Sequence, residues 1–196
     1  MKRLALAGSL AVFVLAGCGL ISSPPIDNPF GLEGQQTTIN LGPSSAATGT
    51  LSVSATFNDT TLNLPVTPTG FVYNPAISGV SLSGTGCPSS LPTSINVTMS
   101  LTLTVSDNPP TGPRQASGTA SNVQFTLTKS GNSYTVGSIS SGSLSFSSLQ
   151  TLLDILQNGG QNTASLSGTV NTTSSPDLAG CTMTITWGGG QGVLKF

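Results

Sequence analysis

The sequence predicts a mainly β protein: an antiparallel β-sandwich or β-barrel of about ten strands, with one short amphipathic helix near 147–158. Three observations lead there. In "SINVTMSLTLTVS" the positions Ile95, Val97, Met99, Leu101, Leu103 and Val105 are apolar, while Asn96, Thr98, Ser100, Thr102, Thr104 and Ser106 are polar. A period of two means one buried and one wet face. Turn clusters separate such runs: "NDT" at Asp59, "DNPPTGP" at 107–113 and "KSGNS" at 129–133. Finally, a single window, "SSLQTLLDILQNGG", changes to helical period.

Taken in order, the chain begins with a positive Lys2-Arg3 and an apolar run from Leu4 to Ala16, interrupted only by Gly8 and Ser9. That run is too short for a permanent membrane span and reads as a secretory signal peptide over 1–17. It ends in "LAGC", residues 15–18. This ending resembles the lipobox of bacterial lipoprotein precursors. The resemblance implies a diacylglycerol thioether on Cys18 and cleavage before it, so that Cys18 becomes an acylated N-terminus. Two or three acyl chains anchor stably where one is marginal. The membrane is therefore the first expected partner, through the N-terminal lipid. Gly19 is not the Asp that retains many such proteins at the inner membrane, which implies an outer-membrane address where the host has one. The resemblance covers the leader only.

Residues 18–36 read as the lipidated N-terminus and a flexible tether, because Pro24, Pro25 and Pro29 and the Gly and Ser residues oppose regular structure. Fully extended, the part after Cys18 reaches on the order of 60 Å. The same stretch leaves a second arrangement open, docking on the domain through Ile26 and Phe30. Residues 37–196 then form a single β-rich domain, long enough for its own core.

Within it, "LSVSATF" (Leu51, Val53, Ala55, Phe57), "VQFTL" (Val123, Phe125, Leu127) and "TMTITW" (Met183, Ile185, Trp187) repeat the alternation. A wet face on each strand favours antiparallel pairing, since parallel strands are usually covered on both sides. In the helical window, Ser147 and Gln150 have capping-box spacing, and Gly159 suits a C-terminal stop. Leu149, Leu152, Leu153 and Leu156 share one face, with Asp154 off it. That stripe either packs on an end or face of the sheet or lines an apolar pocket. The repeat of "SLSGT" at 81–85 and 165–169 implies no duplication in a chain this rich in Ser, Gly and Thr. With Cys18 acylated, Cys87 and Cys181 remain as an even pair in an exported protein, and a disulfide is expected.

Composition excludes more than it assigns. Only 6% of residues are charged, and none lies between Asp59 and Asp107. Ser and Thr, nearly three residues in ten, take the polar role. Arg114, Lys129 and Lys195 are the only basic residues after the leader, too few for a nucleic-acid footprint. There is no histidine, so imidazole-activated nucleophiles and imidazole metal ligands are absent. Asp27, Glu33, Asp59, Asp107, Asp154 and Asp177 all sit in turn, tether or helix-surface contexts without a carboxylate partner close in sequence. "WGGGQG" at 187–192 lacks the lysine and helix of a phosphate loop, and nothing matches an EF-hand. No cofactor or metal is expected. The function expected is that of a lipid-anchored, non-enzymatic envelope module, structural or binding, with envelope proteins or glycan as partners of its hydroxyl-rich strand faces. The alternative is a carrier holding a lipid or other apolar ligand in a barrel cavity. A weaker third reading takes the terminal "GVLKF" as the end of an outer-membrane barrel.

Overall fold

A computed structural model describes residues 22–42, 47–58, 60, 62, 64, 66–107, 113–139, 142–157 and 160–196. The leader 1–17, Cys18, Asp59, most of the 107–113 turn and the expected helix stop at Gly159 lie outside the described residues. The strands are β1 (Ile26–Asp27), β2 (Gln36–Asn40), β3 (Ala47–Asn58), β4 (Gly70–Asn74), β5 (Ile77–Ser83), β6 (Ser94–Ser106) and β7 (Gln115–Ser130). They continue as β8 (Ser133–Val136), β9 (Leu144–Phe146), β10 (Gln161–Thr173), β11 (Thr182–Trp187) and β12 (Gln191–Lys195), with helix α1 (Leu149–Gln157) before β10. Every ladder is antiparallel.

The twelve segments, against about ten expected, resolve into eight courses. Four are long and unbroken, side by side in the order β3-β10-β6-β7. Beyond β7 the sheet forks. The early part of β7 pairs β9, followed by β4, β12 and β1; its late part pairs β8, followed by β5, β11 and β2. The two branches are the same four courses, each broken once: β9/β8, β4/β5, β12/β11 and β1/β2. One wall is thus continuous and the other is cut across its middle.

Local sequence explains three of the four cuts. Pro75 between β4 and β5 has no N–H for a ladder. Gly188-Gly189-Gly190 separates β11 from β12, and Gly190 takes φ 75° with a Cβ position only 2.3 Å from the Asn74 carbonyl oxygen. Between β1 and β2 the backbone turns through positive φ at Asn28, Gly31 and Gly34. The ring closes by packing: on the far edge of β3 the Gly42 N–H donates to the Thr48 carbonyl at 2.8 Å, just after β2.

The continuous wall has one irregularity. In β7 the inward residues are Ala116, Gly118 and Ala120, then Val123, Phe125 and Leu127, so the phase changes. An extra β7 residue stands between the Met99–Val123 and Leu101–Ala120 pairs, and Asn122 adopts φ 58°. This is a β-bulge, which absorbs the phase change without turning an apolar row to water. On the other side of β6, a Cβ on Gly168 of β10 would lie 2.0 Å from the Ser100 carbonyl oxygen, so only glycine fits there.

Inward side chains of both walls form one apolar cluster. The largest correction to the sequence reading is its N-terminal contributor. Of the two arrangements open for residues 18–36, the docked one holds from Ser22 onward. Ser22 bridges Lys195, the Ser23 N–H donates to the Leu194 carbonyl at 3.0 Å, and Ile26 pairs Gly192. Phe30 and Leu32 then turn inward at the cut and are fully buried. Phe30 meets the rings of Phe57, Phe71, Tyr73 and Phe146 at centroid distances of 4.9–6.0 Å. Burying such a ring contributes on the order of 2–3 kcal/mol and, with the burial of Leu32 and the backbone pairing to β12, offsets part of the entropy lost in ordering the segment. Among the described residues, those from Ser22 to Gln36 therefore pack with the β-rich domain expected over 37–196.

Candidate functional site

Four outward rows of the continuous wall form the most extensive regular surface among the described residues. β3 presents Thr48, Thr50, Ser52, Ser54 and Thr56; β10 presents Thr163, Ser165, Ser167, Thr169 and Asn171. β6 adds Asn96, Thr98, Ser100, Thr102 and Thr104, and β7 adds Ser117, Thr119, Gln124 and Thr126. The register aligns them into ladders: Ser54, Ser165, Thr104 and Ser117 lie in one row, and Ser52, Ser167, Thr102 and Thr119 in the next. Some neighbours bond to one another, as Ser54 Oγ to Ser165 Oγ at 3.4 Å and Thr104 Oγ1 with Ser117 Oγ at 3.3 Å. Strand geometry repeats the hydroxyls about every 4.8 Å across the wall and about 6.7 Å along it. Lys129 is the single charged residue of these four strands. A shallow cleft crosses the wall where Asn96, Thr98, Gln124 and Thr126 face Gly137 and Ser138.

A surface of this kind offers hydroxyl donors and acceptors in a fixed lattice, with Lys129 as its single charge. The sequence had shown one such row on residues 95–105; the pairing multiplies it by four.

The interrupted wall carries a different concavity. At the cut, a cleft of about 500 Å³ is lined by Asp27, Asn28, Glu33, Asn74, Pro75, Ala76, Gly188, Gly190 and Gln191. Its polar groups serve the loops around it. Asp27 accepts from the Gln191 amide at 2.9 Å, and the Asn28 side chain accepts from the Glu33 N–H at 3.2 Å. Beneath it the Tyr73 hydroxyl donates to the Gly189 carbonyl oxygen, and burial pushes that phenol well above its ordinary range.

The remaining carboxylates stay dispersed. Asp107 binds Arg114 across the β6–β7 turn, from the Arg114 Nε at 2.9 Å and its backbone N–H at 3.0 Å. Burial acts to raise the Asp107 pKa, but the Arg114 hydrogen bonds and charge outweigh it and hold the carboxyl below its usual value. Asp154 accepts from the Gln150 amide at 2.8 Å, and Asp177 from the Ala179 N–H at 2.8 Å, an Asx turn. Among the described residues no group of three His, Cys, Asp or Glu side chains is placed to hold a metal ion. Among them, too, no buried side-chain polar atom is left without a partner.

Cys87 and Cys181 are joined in a disulfide with Cα atoms 4.6 Å apart, linking the segment after β5 to the start of β11. In α1, Leu152, Leu153 and Leu156 are buried in the common cluster and Leu149 is half-buried against it. Ile155 joins them, a fourth buried position that the leucine stripe had not included. Of the two arrangements open for the stripe, packing against the sheet core is the one these residues show, and a shallow cleft remains on the other side of the helix, between Leu153 and Val66. Gln150 bonds forward to Asp154 rather than back to Ser147, because the helix starts one residue later than the capping-box spacing implied. Its last turn is satisfied from outside: buried Asn162 Nδ2 donates to the Ile155 carbonyl at 3.1 Å, and the Thr60 N–H donates to that of Leu156 at 2.7 Å. The two "SLSGT" copies occupy unlike places, the end of β5 and the middle of β10. No helix among the described residues is long and apolar enough to cross a membrane. No protein-family model matches the chain, and no curated protein matches it.

Proposed function

We propose that this chain is a lipid-anchored, non-enzymatic module of the bacterial cell envelope, and that its continuous wall is a binding face for neutral glycan. The observation that carries the reading is the set of aligned Ser/Thr ladders on β3, β10, β6 and β7, with Lys129 as their single charge. Ordinary soluble surfaces carry about a quarter to a third charged residues. A wall without them forgoes that repulsion, and it suits a partner that is itself uncharged and hydroxyl-rich. Export is supported by the lipobox resemblance at Cys18 and by the Cys87–Cys181 disulfide. A non-enzymatic role is supported by the absence of histidine and by the local bonding of Asp27, Asp107, Asp154 and Asp177.

The outer-membrane barrel reading loses ground on polarity. The long strands turn Ser, Thr, Asn and Gln outward and Leu, Val and Phe inward, the reverse of a barrel that faces lipid. The packing of Leu152, Leu153, Ile155 and Leu156 in the common cluster supports the structural or binding reading over a carrier.

The test is adsorption of the full-length protein, in detergent, to polysaccharide isolated from the host envelope. Binding is expected to be insensitive to salt. It is expected to disappear when charge is placed on the wall, as in Thr48→Lys with Ser167→Lys, and to survive Ser81→Lys on the interrupted wall. All three sites are exposed, so thermal midpoints should stay put. Equal binding by all variants would sink the wall as a glycan face. Turnover of a hydrolase substrate, abolished by a single Asp or Ser substitution, would overturn the non-enzymatic reading.

A further inference from the structure

The four long strands end together: Asn58 pairs Gln161, and Ser106 lies opposite both Thr163 and Gln115. The same end holds α1, the residues Leu64, Val66, Thr67 and Pro68 that face it across a shallow cleft, and the outer tip of β12, where Lys195 meets Gly70 and Ser22. The other end, about 40 Å away along strands of 12–13 residues, holds the β7–β8 turn and the disulfide.

We infer that the end capped by α1 is the face turned to the lipid surface, with Val66 and Thr67 against the headgroups and the disulfide end outermost. This rests on the proposed acylation of Cys18. Four peptide steps separate Cys18 from Ser22, a reach of at most about 15 Å, much shorter than the domain. The attachment point is at an end of the strands, so the anchor holds that end down. A second, independent observation agrees. Among the described residues the one large apolar side chain that stands exposed is Val66, at 55%, and it lies here. Charges at this end are few among the described residues: Arg114 is paired with Asp107, leaving Lys195 and Asp154. Such an end meets lipid headgroups without strong attraction or repulsion, leaving the short attachment and Val66 to set the orientation.

The experiment uses the full-length acylated protein reconstituted in vesicles of phosphatidylethanolamine and phosphatidylglycerol. A thiol-reactive fluorophore is placed at Val66→Cys or at Asn132→Cys, both exposed sites, with the disulfide left intact. Lipids carrying a nitroxide near the headgroup serve as quencher. Most of the emission from the Val66→Cys label is expected to be lost, with that from Asn132→Cys unchanged. Equal quenching at both sites would mean that the domain lies on its flank, and quenching at Asn132→Cys alone would mean that it is inverted. Either result overturns the orientation. The mass of the N-terminal peptide separates the premises: an unmodified Cys18 overturns the anchor and the orientation with it. An acylated Cys18 with the wrong quenching pattern overturns the orientation alone.

Discussion

The two walls of this domain are built from the same residue types and solve different problems. The continuous wall runs four strands of 12–16 residues side by side, and its interior row is supplied by the strands themselves. The interrupted wall breaks each course at Pro75, at Gly188–Gly190, at 28–35 and at 137–143. Into that gap it folds Phe30 and Leu32 from the N-terminal segment. Long unbroken pairing yields a regular outer face but leaves little room for added side chains, because β10, β6 and β7 each sit between two paired neighbours. Broken pairing yields irregular loops and a cleft, and depends on a few anchors: one aromatic cluster, one disulfide, and the two buried tyrosines Tyr73 and Tyr134.

That contrast breaks most sharply at glycine. Gly168→Val would drive a side chain into the Ser100 carbonyl between two paired strands, with no flexible group to yield. A loss of about 4 kcal/mol or more, or failure to fold, is expected in denaturant titration. Gly79→Ala in β5 meets open space and should leave stability within about 0.5 kcal/mol. If the two behaved alike, the continuous wall would not be the intolerant one.

Removing the disulfide with Cys87→Ala and Cys181→Ala should cost up to about 4–5 kcal/mol, since the link closes 94 residues in the unfolded chain. Hydrogen exchange should report the loss mostly in β5 and β11, leaving β6 and β10 protected. Phe30→Ala should cost about 3–4 kcal/mol by emptying the centre of the aromatic cluster. The distinguishing readout is early protease cleavage near residues 22–36, with the long strands intact. A stability change near zero would return that segment to the status of a tether.

The smallest effect belongs to the continuous wall's own turn. Asp107 is held below its usual pKa by Arg114, so its contribution is present above about pH 4 and fades as pH falls through the lowered folded value. Asp107→Asn should therefore cost less than about 1 kcal/mol at neutral pH, and flatten the acid limb of the stability curve. An unchanged acid limb would show that the pair contributes nothing measurable.

How much of this was legible in the sequence depends on which physics was local. Alternation over 95–105 and 51–57 announced strands, because a strand's faces are fixed by its own residues. The Leu152–Leu153–Leu156 stripe announced the helix for the same reason. Other features needed partners. Ser54, Ser165, Thr104 and Ser117 become one ladder only through register between residues up to 111 apart. The β7 phase change from Ala120 to Val123 was visible as a broken alternation, and Asn122 was its signal. Phe30, by contrast, carries no local mark that separates a tether from a plug.

By itself the sequence determined the β class, the helix, the even cysteine pair and the poverty of charge, because these follow from composition and from periods within single segments. Only the tertiary structure decided that four courses are cut at one level, that residues from Ser22 onward belong to the domain, and that hydroxyl rows align into a wall. The physical reason is that burial of Phe30 and alignment of distant strands are set by free energies of the whole packed assembly, to which no single segment holds the key.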